Sequence, residues 1–182
     1  MARRYVELLD AIAFAAAKHR NQRRKDAEAS PYINHPLQLA HVLATEGGVS
    51  DLKTLMAAVL HDTVEDTETT YEELVTHFGK RVADVVMEVT DDKMLARAER
   101  KRRQVEHAPH VSKRAALVKL ADKICNLRDV ANNPPTGWPL TRKQDYFDWA
   151  KAVVDGLPAV SEKLRKAFDA AFALRPSANR DS

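Results

Sequence analysis

The sequence predicts an all-α fold, a single helical bundle of about nine to ten helices. Glycine accounts for only 5 of the 182 residues, while alanine and leucine, both good helix formers, are frequent. Apolar residues recur at helical spacing in most segments between turn residues. No internal repeat or linker divides the chain, so we expect one domain over residues 1–175 and a frayed tail over 176–182.

Three helices are predicted in the first third of the chain. Apolar residues at helical spacing predict the first over about 5–19, and the polar stretch after it lacks such periodicity. Pro36 suits the first turn of the second helix, which ends at the glycine pair that follows. The uncharged run 55–60 predicts a buried third helix, with Ser50 or Asp51 as its N-cap.

The middle of the chain is predicted to hold three more helices. Thr70 and Glu73 have the spacing of a capping box, and the helix they open ends at Gly79. Segment 80–90 also has helical periodicity, although its valines leave a strand possible. A charged, exposed helix is expected over about 94–106.

A long helix over about 112–130 carries polar residues beside its apolar stripe. Asp122 and Asn126 are four positions apart and therefore share one face. Because a carboxylate beside an apolar stripe needs a partner, Asp122 is a candidate ligand.

The last two helices follow a break at the Asn-Asn-Pro-Pro stretch. They are predicted over about 141–155 and 158–173. Thr141 and Gln144 have capping-box spacing at the start of the first.

Cysteine content and hydropathy limit the class of protein. Cys125 stands alone, which excludes an internal disulfide framework and a cysteine-rich zinc site, and its apolar helical surroundings predict a buried residue. The sequence shows neither a leader-like apolar core nor an uncharged run long enough to span a bilayer. We therefore expect a cytoplasmic protein with no membrane partner.

Basic residues concentrate in two clusters, within 20–25 and 97–103, in a chain of net charge +3. Either cluster could meet phosphate, although a solvated helix face is the default interpretation of the second. Aromatic residues make up only 6% of the chain and few lie within the clusters, so nucleic acid is not the expected partner.

The stretch that follows the buried third helix contains four potential ligand or proton-transfer groups, His61, Asp62, Glu65 and Asp66. Burying them without paired cations would be unfavourable, so a bound cation is one explanation. If helical geometry continues, Glu65 and Asp66 lie beside the ion, four positions after His61 and Asp62. An ordinary helix-end histidine followed by a solvated cap is the alternative, and this stretch alone leaves both open.

Three separated segments offer metal ligands: His35 at a helix entrance, His61 and Asp62 at a helix end, and Asp122 on a core-facing helix. This mixed nitrogen and oxygen set suits Mn²⁺ or another first-row ion better than Ca²⁺ or structural zinc. An α-helical bundle can bring such side chains together from different helices.

This order of ligands is similar to that of HD-domain metal-dependent phosphohydrolases. The hydrolase domain of the RelA/SpoT family resembles the chain in four stretches, HRNQRR (19–24), PYINHP (31–36), HDTVEDT (61–67) and VKLADK (118–123) with NLR (126–128). The segments TDDK (90–93) and YFDW (146–149) also fit, and the resemblance runs from about residue 5 to 174. The chain looks most like the small alarmone hydrolases of the metazoan-SpoT-homologue type, because no room is left for a synthetase domain.

The resemblance implies an HD-type phosphohydrolase domain that removes the 3′-pyrophosphate from (p)ppGpp, leaving GDP or GTP, with Mn²⁺ as cofactor. It implies metal binding by His35, His61, Asp62 and Asp122, and water activation by Glu65 and Asp66. It also implies substrate-binding residues, with Arg24, Lys25 and Asn126 on the nucleotide and Arg97, Arg142 and Tyr146 on the 5′-phosphates.

Other residues of the motifs are expected to be structural. Lys119 and Arg128 are predicted ion-pair donors, and His19 is predicted to pack or to form hydrogen bonds. Trp138 and Trp149 are predicted core residues.

Three other functions remain open from the sequence. The same site could cleave a ribose phosphomonoester such as the 2′-phosphate of NADPH. A nucleotide-binding regulator without catalysis would need no water-activating pair, so Glu65 and Asp66 argue against it. A basic nucleic-acid binder is the remote option, and the oligomeric state is not predicted.

Overall fold

The computed structural model describes residues 2–178, and within that range it is α-helical with only one isolated β-bridge, between Arg23 and Pro31. A short 3₁₀ turn spans Ala108–His110. The α-helices are α1 (Ala2–Lys18), α2 (Asn34–Thr45), α3 (Leu52–Leu60), α4 (Thr63–Asp66), α5 (Tyr71–Phe78), α6 (Lys80–Val89), α7 (Arg97–His107), α8 (Lys113–Asn132), α9 (Leu140–Gly156) and α10 (Glu162–Phe172). The predicted all-α class is confirmed, and the valine-rich segment that left a strand open is helix α6.

Two predicted helix starts are confirmed by their caps. Asp51, rather than Ser50, caps α3 by accepting the Thr54 N–H at 3.1 Å. Thr70 caps α5 by accepting the Glu73 N–H at 3.2 Å. These caps satisfy N–H groups that the first turn of a helix leaves without partners.

The predicted capping box at Thr141 is wrong. Helix α9 begins at Leu140, directly after Pro139, and no side chain caps it. Gln144 instead donates to the carbonyl of Pro176 at 3.0 Å. Two other starts lie later than predicted, since α7 begins at Arg97 and α10 begins after its cap Ser161.

Helices α3 and α8 form the centre of the core. Helix α3 packs against α1, α2, α6 and α8, and α8 also packs against α2, α6, α9 and α10. Leu60 of α3 and Ile124 and Leu127 of α8 are fully buried in this core. Burial of one such side chain contributes roughly 1.5–3 kcal/mol, so the core fixes the end of α3 and the middle of α8 firmly. Those two places carry His61 and Asp122.

The carboxyl-terminal segment is anchored as far as Arg175, whose guanidinium pairs with Asp148 at 2.7 Å. Residues 179–182 of the expected frayed tail lie outside the described residues. The division into a domain over 1–175 and a tail therefore stays a prediction. Over residues 2–178, every helix is too short or too polar to cross a bilayer.

Candidate metal and nucleotide site

A cleft of about 480 Å³ opens where the end of α3, the single turn α4 and the middle of α8 meet. Ten of the twelve residues predicted for the site line this cleft: His35, His61, Asp62, Asp122, Glu65, Asp66, Arg24, Lys25, Asn126 and Tyr146. Arg97 and Arg142 do not line it, but both stack on Trp138, which does. The fold thus gathers at one place residues that lie up to 122 positions apart, from Arg24 to Tyr146.

The predicted metal ligands converge. Ligand atoms of His35, His61 and Asp62 all lie within 4.8 Å of one another. Asp122 lies outside this group of three, but its Oδ1 is 3.2 Å from Nε2 of His35. Such a group of imidazoles and carboxylates can hold a divalent cation.

The orientation of His61 suits a metal ligand. Its Nδ1 lies 2.9 Å from the carbonyl oxygen of Ala58, which can only accept, so Nδ1 carries the proton. Its Nε2 is buried, faces Asp62 at 2.9 Å and makes no hydrogen bond within the described residues. A second-shell carbonyl that fixes the tautomer in this way is typical of metal-binding histidines. These residues therefore fit a divalent cation.

Both carboxylates of the cluster are held in their anionic form. Burial is the largest influence on the pKa of Asp62 and would raise it, but His61 and His35 together outweigh burial and hold that pKa well below its usual value. Burial acts on Asp122 in the same direction, and the Lys123 ammonium at 2.9 Å together with His35 and His61 holds its pKa well below the usual value. Burial lowers the pKa of His61, whereas the charge and the hydrogen bond of Asp62 raise it. The net effect is an increase, and the pKa of His61 reaches about 9. The cluster therefore offers two ionised carboxylates as ligands for a cation.

Two residues that support the ligands, Tyr32 and Lys123, were not predicted from the sequence. The Tyr32 hydroxyl donates a hydrogen bond to Asp62, and burial next to that carboxylate raises the tyrosine pKa. Lys123 is buried beside Asp122, whose charge raises the lysine pKa despite burial. Tyr32 lies in the PYINHP stretch and Lys123 directly follows Asp122. Their closeness to predicted metal ligands is the signal that could have identified both residues.

Glu65 faces the cleft from α4 and is fixed from the opposite wall. Its Oε2 accepts the backbone N–H of Asp91 at 3.0 Å, and Nη1 of Arg100 lies 3.6 Å from its Oε1. Burial raises the pKa of Glu65 to about 7. A carboxyl with this pKa can both take and release a proton near neutral pH.

Asp66 is more heavily engaged than Glu65. It accepts a hydrogen bond from Gln22 at 2.7 Å and pairs with Lys93, which lies in the loop between α6 and α7. The two predicted catalytic carboxylates thus lie side by side with different partners.

At the end of the cleft that holds Arg24 and Asn126, Asn126 donates to Asp122 at 2.7 Å. Arg24 pairs with Asp129 at 2.6 Å, a partner that the sequence analysis did not identify. The expectation that Arg24 contacts the nucleotide stays a prediction.

The other end of the cleft is an aromatic wall formed by Trp138, Tyr146 and Trp149, with arginine side chains next to it. The guanidinium carbon of Arg142 lies 4.3 Å from the ring centre of Trp138, and that of Arg97 lies 5.8 Å away. The ring of Tyr146 lies between those of Trp138 and Trp149, at 5.8 and 5.3 Å. Trp138 and Trp149 pack against the core, as expected, and also border the cleft.

Predictions for the structural residues of the motifs hold with one exception. Arg128 pairs with Glu46 at 2.6 Å, and His19 is hydrogen-bonded to Gln22 at 2.6 Å. Lys119 forms no ion pair with any residue in 2–178, so its prediction as an ion-pair donor is wrong. It lines the cleft instead.

Comparison with known proteins identifies the family. The family model described as an HD domain matches residues 11–145, and this family implies a divalent metal. The guanosine-3′,5′-bis(diphosphate) 3′-pyrophosphohydrolase MESH1 of Danio rerio is 56% identical over 165 residues, which cover 88% of this chain and 92% of that protein. The Homo sapiens MESH1 is 54% identical over 169 residues, with coverage of 93% and 94%.

A solved structure agrees with this comparison. It belongs to a metazoan orthologue of SpoT that hydrolyses ppGpp and plays a role in starvation responses. Its TM-score is 0.90 at 47% identity, and the match covers 93% of this chain and 95% of that one. The chain therefore belongs to the HD-domain family, in the group of small SpoT-related hydrolases that includes MESH1.

Proposed function

We propose that this protein is a Mn²⁺-dependent hydrolase that removes the 3′-pyrophosphate of guanosine-3′,5′-bis(diphosphate) or of its 5′-triphosphate form, leaving GDP or GTP. One observation carries the proposal: the cluster of His35, His61 and Asp62 shares a cleft with Glu65 and Asp66. Relatives at 54–56% identity are named for this activity.

The proposed metal ligands are His35, His61, Asp62 and Asp122. Two imidazoles with two carboxylates suit Mn²⁺ or another first-row ion better than Mg²⁺ or Ca²⁺, which prefer oxygen ligands alone. When bound, such a cation supplies a nucleophile at neutral pH and offsets negative charge on the phosphoryl group.

Glu65 is the better candidate for the general base. Its pKa of about 7 matches the working range of a base, and Asp66 is already paired with Lys93. In the proposed reaction, the oxygen of water bonds to the phosphorus next to the 3′-oxygen, and Glu65 takes a proton from that water. The bond between this phosphorus and the 3′-oxygen breaks, its electron pair stays on the 3′-oxygen with a proton from solvent, and pyrophosphate leaves.

The walls of the cleft suggest how the nucleotide lies. Arg24, Lys25 and Asn126 are the proposed contacts to the nucleoside. The cationic and aromatic wall with Arg97, Arg142 and Tyr146 suits the 5′-phosphates, since arginine binds phosphate through paired N–H donors. A cleft of about 480 Å³ has the usual size of a small-molecule site.

Phosphorus NMR of the purified protein with ppGpp and Mn²⁺ tests the proposal. Pyrophosphate and GDP should appear together, and EDTA should abolish the reaction. His61→Ala should be inactive while His41→Ala, an exposed histidine on α2, retains activity. Release of orthophosphate, or full turnover by His61→Ala, would contradict the proposal.

The same experiment addresses the other functions that the sequence left open. NADPH as substrate would yield orthophosphate from its 2′-position, and a larger kcat/KM for NADPH would reassign the natural substrate. Tight binding of ppGpp without any product would indicate a regulator. The cytoplasmic location and the oligomeric state stay outside this test, and the former remains a prediction from the sequence.

A further inference from the structure

Lys119 is a buried lysine that the mechanism above does not use. It lies on α8 with 8% of its surface exposed. Within residues 2–178 its ammonium forms neither a hydrogen bond nor an ion pair. By contrast Lys123, one turn further on, is paired with Asp122 at 2.9 Å.

The side chain of Lys119 is largely buried and borders the cleft, so an anion bound in the cleft would stabilise its ammonium. Burying a charged amine without a partner costs several kcal/mol, so lysines are rarely buried alone. Burial and the like charge of Lys123 lower the pKa of Lys119. The surroundings thus favour a negatively charged ligand at this point.

Nearby carboxylates are engaged elsewhere. Asp91 accepts a hydrogen bond from Gln104 at 2.6 Å, and Glu65 accepts the backbone N–H of Asp91. Asp122 is shared between Lys123 and Asn126. The three N–H donors of Lys119 are therefore available to a ligand in the cleft.

The position of Lys119 on α8 indicates which part of a substrate it would meet. Lys119, Asp122 and Asn126 are three and four positions apart and form one row on the helix. At about 1.5 Å per residue, Lys119 and Asn126 lie about 10 Å apart along the axis, with the metal ligand between them. Asn126 is a proposed contact to the nucleoside. Lys119 lies on the opposite side of the proposed metal ligand, where the 3′-substituent of the nucleotide would extend.

We propose that Lys119 binds the distal phosphate of the 3′-pyrophosphate and thereby selects a 3′-diphosphate over a 3′-monophosphate. This inference rests on the proposed function and names the residue that recognises the leaving group. Lys119 remains a cation throughout and exchanges no proton. Lys119 also lines a second cavity of about 170 Å³ together with Arg100 and Gln104, and both cavities are bordered by Lys119 and Gln104.

Two substrates separate this role from a structural one. Lys119→Met should lower kcat/KM about 30-fold for guanosine-3′,5′-bis(diphosphate), the loss expected for a charge-assisted contact. For guanosine 5′-diphosphate 3′-monophosphate the change should be less than about threefold, because that substrate lacks the distal phosphate. Lys119→Arg should restore most of the preference for the 3′-diphosphate substrate over the 3′-monophosphate. Lys113 is an exposed lysine on the same helix, and Lys113→Met should leave kcat/KM for both substrates unchanged.

Product inhibition gives a second readout. Pyrophosphate should inhibit wild type more strongly than Lys119→Met, whereas Mn²⁺ affinity and the circular dichroism spectrum should match in both. If Lys119→Met does not fold, the same comparison applies to Lys119→Gln and Lys119→Arg.

The outcomes distinguish this inference from the proposed function. If wild type releases no pyrophosphate from guanosine-3′,5′-bis(diphosphate), the proposed function itself fails. If wild type is active and the Lys119 variants lose both substrates equally, or lose neither, Lys119 does not recognise the distal phosphate. An unchanged inhibition constant for pyrophosphate would overturn the inference in the same way.

Discussion

Nη1 of Arg100 on α7 lies 3.6 Å from Oε1 of Glu65 on α4. The other oxygen of Glu65 is held by the Asp91 N–H at 3.0 Å, and Gln104 of α7 fixes the Asp91 side chain in turn. Helix α7, whose basic cluster suggested a solvated surface, therefore presents one polar face to a candidate catalytic carboxylate. Its role is to hold Glu65 in one orientation.

Arg100→Met should lower kcat about 10-fold with little change in KM, because Glu65 loses its orientation but the substrate contacts remain. Arg103→Met is the matched control, since Arg103 lies on the same helix and pairs with Glu99 at 3.0 Å. Steady-state kinetics of both variants provide the measurement. Equal losses in both would attribute the effect to the charge of α7 rather than to Glu65.

Glu65 should titrate near pH 7 in the metal-free protein, compared with an ordinary value of 4.5, because burial disfavours its charged form. Between these two values the unfolded chain has released the proton that the folded protein keeps. Stability should therefore fall as pH rises through this range. Carbon NMR of the glutamate carboxyls and thermal unfolding from pH 5 to 8 measure both effects.

Glu65→Gln is the control for this titration. The variant should lose the resonance that moves near pH 7 and should be more stable than wild type at pH 8, although inactive. A wild-type carboxyl that titrates near 4.5 would show that Glu65 is well solvated and would weaken its assignment as the base.

Local sequence pattern together with the family resemblance was enough to predict which side chains meet at the candidate metal site. His61 and Asp62 follow an uncharged helix whose burial is obligatory, and Asp122 borders an apolar stripe, so packing of α3 against α8 brings them together. The helix caps at Asp51 and Thr70 were equally predictable, since each depends on residues three positions apart.

The partners of the cluster were not predictable in this way. Tyr32 reaches Asp62 across 30 positions and Arg100 reaches Glu65 across 35, and no local pattern encodes such pairs. Lys119 and Arg128 look alike in the sequence, yet only Arg128 finds a carboxylate, because its neighbour from α2 is Glu46. Tertiary packing decides these contacts.

Tyr32→Phe should weaken Mn²⁺ binding about 10- to 100-fold, the usual effect of removing a hydrogen bond that orients a metal ligand. The Tyr32 hydroxyl donates to Asp62, so its loss frees that carboxylate to rotate. Tyr71→Phe is the matched control, because the Tyr71 hydroxyl donates a hydrogen bond at 2.8 Å to Asp84, a carboxylate outside the cleft. Electron paramagnetic resonance of free Mn²⁺ gives both dissociation constants, and equal values would remove Tyr32 from the site.

Arg142→Ala should raise KM for guanosine-3′,5′-bis(diphosphate) about 10-fold and leave kcat nearly unchanged, since a contact to the 5′-phosphates is made equally in the ground and transition states. The stack on Trp138 at 4.3 Å holds the guanidinium in place, and Lys143→Ala, its neighbour on α9, is the control. Guanosine 3′-diphosphate, which lacks 5′-phosphates, should be hydrolysed equally by wild type and Arg142→Ala. A loss on this truncated substrate as large as that on the full one would mean that Arg142 supports the fold of the aromatic wall, and the 5′-phosphates would then have to bind elsewhere in the cleft.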